Sequence, residues 1–137
     1  MIDEVTPTEA MQALESNDSV AMIDVRTQEE WEAVGVPDIS ATGHPLWLVE
    51  WVHGPSRLQN PSFLKDVLRQ AGDRLPDRIF FICRSGARSA AAAQAVAALA
   101  EQMGQSVQCT NVAEGFEGAP AYGAESGWKG RGLPWKR

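Results

Sequence analysis

Residues 78–104 read RIFFICRSGARSAAAAQAVAALAEQMG, and this stretch decides the fold class. RIFFI is apolar over its last four residues, the pattern of a strand buried on both faces of a parallel sheet. The run from Ser89 to Met103 has the composition of a helix, with Ala92, Val96, Leu99 and Met103 predicted on its buried face and Gly104 as its stop. Cys83 falls between the two, at the carboxyl end of the strand, and the short loop RSGAR leads into the helix. Free N–H groups and the positive end of the helix dipole converge there and favour negative charge. Gly86 lets the backbone close tightly, and Arg84 and Arg88 add positive charge within reach. This is an anion cradle around a nucleophilic sulfur, suited to attack on, or storage of, an anionic group. The bland alternative, a buried cysteine beside solvated arginines, does not account for a glycine, two arginines and a helix start in one loop.

Working outward, strands alternate with helices and no internal repeat is present. TPTEAMQALES begins with Thr6 as an N-cap, Pro7 at the first helical position and Glu9 closing a capping box. SVAMID is a strand ending in acid, and TQEEW repeats the capping box with Thr27 and Glu30. Residues 35–54 read as loop plus one short strand or helix. NPSFLKDVLRQAG is a third helix, with Asn60 predicted as its cap and Gly72 as its stop. SVQCTNV is a further strand, and the glycine-rich end, with Phe116, Tyr122, Trp128 and Trp135, is an ordered wrap. The pattern predicts an α/β fold with an open, mainly parallel sheet flanked by helices, in a single domain spanning 1–137. Ligands of such sheets bind outside the carboxyl ends of the strands, where Asp24, Cys83 and Asn111 are expected.

Bulk properties narrow the function. The chain has 137 residues, 44% hydrophobic and 22% charged, with net charge −6, which argues against nucleic-acid binding. It has no long apolar run for a membrane span, and MIDEVTPTEA is unlike a signal peptide, so a cytoplasmic location is expected. Cys83 and Cys109 are too few for a disulfide framework. Cys109 is read as core, with a resolving thiol as the minority reading. His44 and His53 lack a ligand pattern and are read as surface or hydrogen-bonded side chains. Asp24 and Arg26 are either a brace for the active loop through Arg88 or an ordinary strand-end ion pair. The tryptophans are read as packing, with Trp128 and Trp135 as candidates for the pocket mouth. The basic tail, Lys129, Arg131, Lys136 and Arg137, is read as a solvated face.

The sequence resembles the rhodanese family of sulfurtransferases. The matching pieces are MIDVRTQEEWEAVGVP at 22–37, ICRSGARSAAAA at 82–93, and NVAEGFEG with GWKGRGLPW from 111 to 135. The resemblance implies that Cys83 takes a sulfane sulfur from a donor such as thiosulfate and passes it, as a persulfide, to cyanide or a thiol acceptor, possibly on a protein. It further implies that the backbone of Arg84, Ser85, Gly86, Ala87, Arg88 and Ser89 cradles the outer sulfur, that Arg84 and Arg88 meet donor oxygens or steady the loop, and that no metal or organic cofactor takes part. Mercaptopyruvate-using relatives tend to carry a loop of the type CGSGVT, without arginines, so two arginines favour an oxyanionic donor. Two rival readings stand beside this one. Cysteine phosphatases and arsenate reductases place five residues between Cys and Arg, where this loop has four. A non-catalytic rhodanese-like binding or regulatory module is the other.

Overall fold

The computed structural model describes residues 2–72 and 74–137. In chain order the elements are β1 (Asp3–Val5), α1 (Pro7–Ser16), β2 (Val20–Asp24), α2 (Gln28–Val34), β3 (Val36–Pro37), β4 (Leu46–Leu48), β5 (Val52–His53), β6 (Leu58–Gln59), α3 (Phe63–Ala71), β7 (Arg78–Ile82), α4 (Ala87–Gln102), β8 (Gln108–Val112), α5 (Gly127–Gly130) and β9 (Trp135–Lys136). The central sheet has five parallel strands in the order β1-β8-β7-β2-β4. Two small antiparallel pairs, β3 with β9 and β5 with β6, lie outside it. Among the described residues no helix is long and apolar enough to cross a membrane.

Because side chains alternate across a strand, one apolar run feeds two cores. Ile79 and Phe81 face a layer with Val67 of α3 and Ala92, Ala93 and Val96 of α4. Phe80 and Ile82 face the other layer, with Ala10 and Leu14 of α1, Phe116 and Trp128. That is why RIFFI lacks a polar face. The capping boxes form as expected at both Thr6–Glu9 and Thr27–Glu30.

Several expectations are corrected. The long helix starts at Ala87, two residues earlier than predicted, and its buried row is Ala92, Ala93, Val96 and Ala100. Leu99 is only half-buried, and Met103, the C-cap beyond the sheet, is 40% exposed. The alanines let the helix lie close to the sheet, so the 92/96/100 row makes the contact. Asn60 does not cap α3, whose N-cap is Ser62 without a side-chain bond. Asn60 instead accepts from the Ser62 N–H at 3.0 Å and donates to the Glu50 carbonyl at 2.9 Å, fixing the turn ahead of the helix. The basic tail is not simply solvated. Arg131 grips Glu114 through two nitrogens at 2.8 and 2.6 Å, and Lys129 lies 3.7 Å over the Trp135 ring while donating to the Val34 carbonyl at 3.0 Å.

Trp128 is wholly buried in the second core, and Trp135 packs against Gly35, so neither forms a pocket mouth at the sulfur. His53 is hydrogen-bonded to Glu50 at 2.8 Å, and the described residues contain no cluster of metal-ligating side chains.

The expected pair Asp24–Arg26 is present and completely buried. Asp24 accepts from Arg26 Nε at 2.9 Å and Nη2 at 2.6 Å, while Nη2 also reaches the Gly35 carbonyl at 2.8 Å. The guanidinium stacks 4.2 Å over the Phe116 ring. It thereby joins the end of β2 to α2 and to the segment beneath the active loop. Removing one partner leaves an uncompensated charge in the core. Asp24→Ala is expected to lower the free energy of unfolding by about 3 to 5 kcal/mol, measured by urea denaturation, with a much smaller loss for Arg69→Ala, which removes the exposed partner of Asp66.

Candidate active site

The sheet register brings three strand ends together. Asp24 lies opposite Ile82, and Asn111 opposite Phe81, so Cys83 emerges between the ends of β2 and β8. The chain then turns sharply. Gly86 takes φ 115°, and a side chain there would strike the Ala113 carbonyl oxygen. This turn directs the Gly86 N–H onto Cys83 Sγ at 3.1 Å and opens α4 at the next residue. The first-turn N–H groups of α4, from Ala87 to Ser89, have no intrahelical acceptor. Ser89 Oγ lies 3.2 Å from Sγ. Cys83 itself is only 2% exposed, whereas Arg84, Ser85 and Ala87 are exposed on the loop.

Residues 113–117 hold this loop from below. The N–H groups of Phe116 and Glu117 donate to the carbonyls of Cys83 and Arg84 at 2.7 and 3.0 Å. On the other edge, the carbonyls of Gly115 and Phe116 accept from Trp128 and Lys129 at 2.8 and 3.0 Å. Gly115, at φ 69°, permits this approach, since a Cβ there would lie 2.5 Å from the Arg84 oxygen and 2.7 Å from that of Cys83. The segment is a strap between the active loop and the C-terminal wrap.

The rhodanese-like domain family matches residues 6–119. The chain belongs to the rhodanese-like domain family. It is 34% identical over 135 residues to the uncharacterized RP600 homolog of Rickettsia rickettsii, covering 98% of each chain. The crystal structure of Rv0390 from M. tuberculosis is 38% identical with TM-score 0.77, covering 98% of this chain and 96% of that one. A Rhodopseudomonas palustris protein of unknown function, described as a possible tyrosine phosphatase, shares the fold at 23% identity and TM-score 0.54.

Within this loop the two arginines differ. Arg88 is largely buried and grips Glu30 through both nitrogens, Nη1 to Oε1 at 2.7 Å and Nη2 to Oε2 at 2.9 Å. Arg84 is exposed, with its side chain 66% accessible and Nε 3.5 Å from Glu117. It lines an open cavity of about 560 Å³ with Glu117, Gly118, Ala119 and Pro120. The expected brace between Asp24 and Arg88 is therefore corrected. Asp24 is saturated by Arg26, and Arg88 turns to Glu30 of α2 instead.

Glu30 was visible in the sequence only as a capping residue. Its second bond crosses 58 residues, and no local pattern marks it. Cys109 is buried in the core, where desolvation pushes its thiol up to about 11, in keeping with a packing role.

Burial alone would raise the Glu30 carboxyl, but the hydrogen bonds from Arg88 and from the Thr27 N–H outweigh it and hold the group at about 2. The Arg88 guanidinium is raised in turn, chiefly by its bond to Glu30. A carboxyl held below its unfolded value stabilises the fold above that value, about 4.3, and loses the contribution as pH falls toward the folded value. Glu30→Gln should cost roughly 1.5 to 3 kcal/mol at pH 7. Between about pH 4.5 and 2, where the parent loses this stabilisation, the difference from the variant should shrink, as read from denaturation curves across that range.

Proposed function

We propose that the protein is a single-domain sulfurtransferase that carries a sulfane sulfur on Cys83, taken from thiosulfate or a similar oxyanionic donor. The observation that carries this reading is the cradle itself. A strand-end sulfur meets the Gly86 N–H at 3.1 Å at the mouth of α4, while Arg88, five residues after the cysteine, is committed to Glu30. Backbone groups of residues 84–89 are then available to an outer sulfur, and Arg84, exposed beside its cavity, is available to donor oxygens.

The chemistry balances without a cofactor. The Cys83 thiolate attacks the outer sulfur of thiosulfate, a new S–S bond forms, and the original S–S bond breaks with its electron pair leaving on sulfite. The persulfide anion rests in the cradle. Cyanide or a thiolate then attacks the outer sulfur, the Cys83 bond breaks, and the thiolate returns with thiocyanate or a persulfidated acceptor as product. A phosphatase of the related kind needs an arginine fork on the oxyanion. Here the Arg88 fork lies on Glu30, which favours the sulfur-transfer reading. A purely binding module has no need of the nucleophile that this loop retains.

Cys83→Ser is expected to abolish both sulfur loading by thiosulfate, read by intact mass, and thiocyanate formation with cyanide. Cys109→Ser should retain both. Better turnover of an aryl phosphate than of thiosulfate by the parent would favour the phosphatase reading, and no loading at all would favour the module.

Arg84→Ala should raise KM for thiosulfate about tenfold, the equivalent of one charge-assisted hydrogen bond, with little change in kcat or thermal stability. Steady-state thiosulfate:cyanide kinetics and a melting curve check this; an unchanged KM removes Arg84 from donor binding.

A further inference from the structure

We infer that Asn111 sets the direction of the Ser89 hydroxyl and thereby the reactivity of the Cys83 sulfur. The parallel register places Asn111 of β8 opposite Glu4 of β1, and its Nδ2 lies 2.8 Å from Glu4 Oε2 and 3.1 Å from the Gly86 carbonyl oxygen. Both neighbours are acceptors, so chemistry identifies the nitrogen end of the amide. The other end, Oδ1, can only accept, and it is the atom 2.5 Å from Ser89 Oγ. Two oxygens at that distance need a proton between them, and only the serine has one.

Ser89 Oγ also lies 3.2 Å from Cys83 Sγ and 3.2 Å from the Gly86 oxygen, but its single hydrogen points to the nearest acceptor. A lone pair of the hydroxyl therefore faces the sulfur. As a thiol, Cys83 donates its S–H to Ser89 Oγ. As a thiolate, it meets the Gly86 N–H and an oxygen lone pair where a second donor would otherwise stand. An under-bonded thiolate is the more basic and more nucleophilic one. The penalty eases once the charge has moved to an outer sulfur one bond further away; this last step rests on the persulfide reading, whereas the orientation does not. Asn111 bonds Ser89, Glu4 and the Gly86 carbonyl rather than the sulfur, and acts through Ser89, as a positioning residue.

The test uses alkylation of Cys83 by iodoacetamide across pH, in a Cys109→Ser background, and so is independent of sulfur transfer. Asn111→Ala frees the Ser89 hydroxyl to donate to sulfur, which shifts the thiol–thiolate balance about tenfold toward thiolate. Reactivity changes about half as steeply as basicity, so alkylation should be roughly threefold slower on the alkaline plateau and roughly threefold faster on the acid limb. The two profiles cross. The charged groups on the surrounding elements are the same in both proteins: Arg84 and Glu30–Arg88, the Asp24–Arg26 pair, Glu4, and Glu114 and Glu117 of the strap.

Ser89→Ala alone gives a second reading that does not need the Asn111 variant to fold. Removing a lone pair that faces the sulfur speeds the acid limb, whereas removing a donor would slow it. On top of Ser89→Ala, Asn111→Ala should change nothing further, with thermal unfolding followed for each variant. A parallel fall of both limbs in Asn111→Ala, a slower acid limb in Ser89→Ala, or a persistent Asn111 effect without the hydroxyl overturns the inference. Crossing profiles in a protein that thiosulfate does not load would keep it and sink the sulfur-transfer reading instead.

Discussion

The geometry at the sulfur depends on two backbone hydrogen bonds, from the N–H groups of Phe116 and Glu117 to the carbonyls of Cys83 and Arg84. With these carbonyls drawn toward the strap, the loop turns so that the N–H of Gly86 faces the sulfur. The same strap is held on its other edge by Trp128 and Lys129, and its Phe116 ring sits under the guanidinium of the buried Asp24–Arg26 pair. Removing the strap would leave two carbonyls without their partners and the turn without its stop against Ala113.

Charge is distributed by the same logic. The loop has two arginines, but one is tied by a bidentate, partly buried bond to Glu30 and the other reaches only a longer, solvent-exposed contact with Glu117. Desolvation and fork geometry strengthen the first, and exposure weakens the second. A buried pair holds shape and an exposed one can exchange partners. One motif thus supplies a fixed brace and an available cation from the same residue type.

The sequence made legible whatever is local. Both capping boxes, the strand with no polar face, the glycine turn and the alanine helix follow from residues within one or two turns of each other. Asp24–Arg26 was readable because the partners are two residues apart. What escaped depends on tertiary approach. Glu30 reaches Arg88 across 58 residues, and the helix face shifted because the alanines let α4 settle on a different row. The tail cations looked solvated because their partners, Glu114 and the aromatic rings of Phe116 and Trp135, come to them only through folding. Asn111 was visible as a strand end, but its role follows from counting protons among atoms that no sequence pattern brings together.

The sheet order carries a consequence for the time at which the protein can form. Among the described residues, β1 has β8 as its one strand neighbour, where Asp3 bonds Thr110 and Glu4 bonds Asn111 across 107 residues. During synthesis at roughly 5 to 20 residues per second, that separation is on the order of ten seconds of ribosome travel. Throughout it, β1 has no edge to join, and the amide that orients the Ser89 hydroxyl does not yet exist. Long-range parallel pairing of this kind is slow to form. The sulfur centre is therefore assembled late, after nearly all the surrounding core is available to receive it.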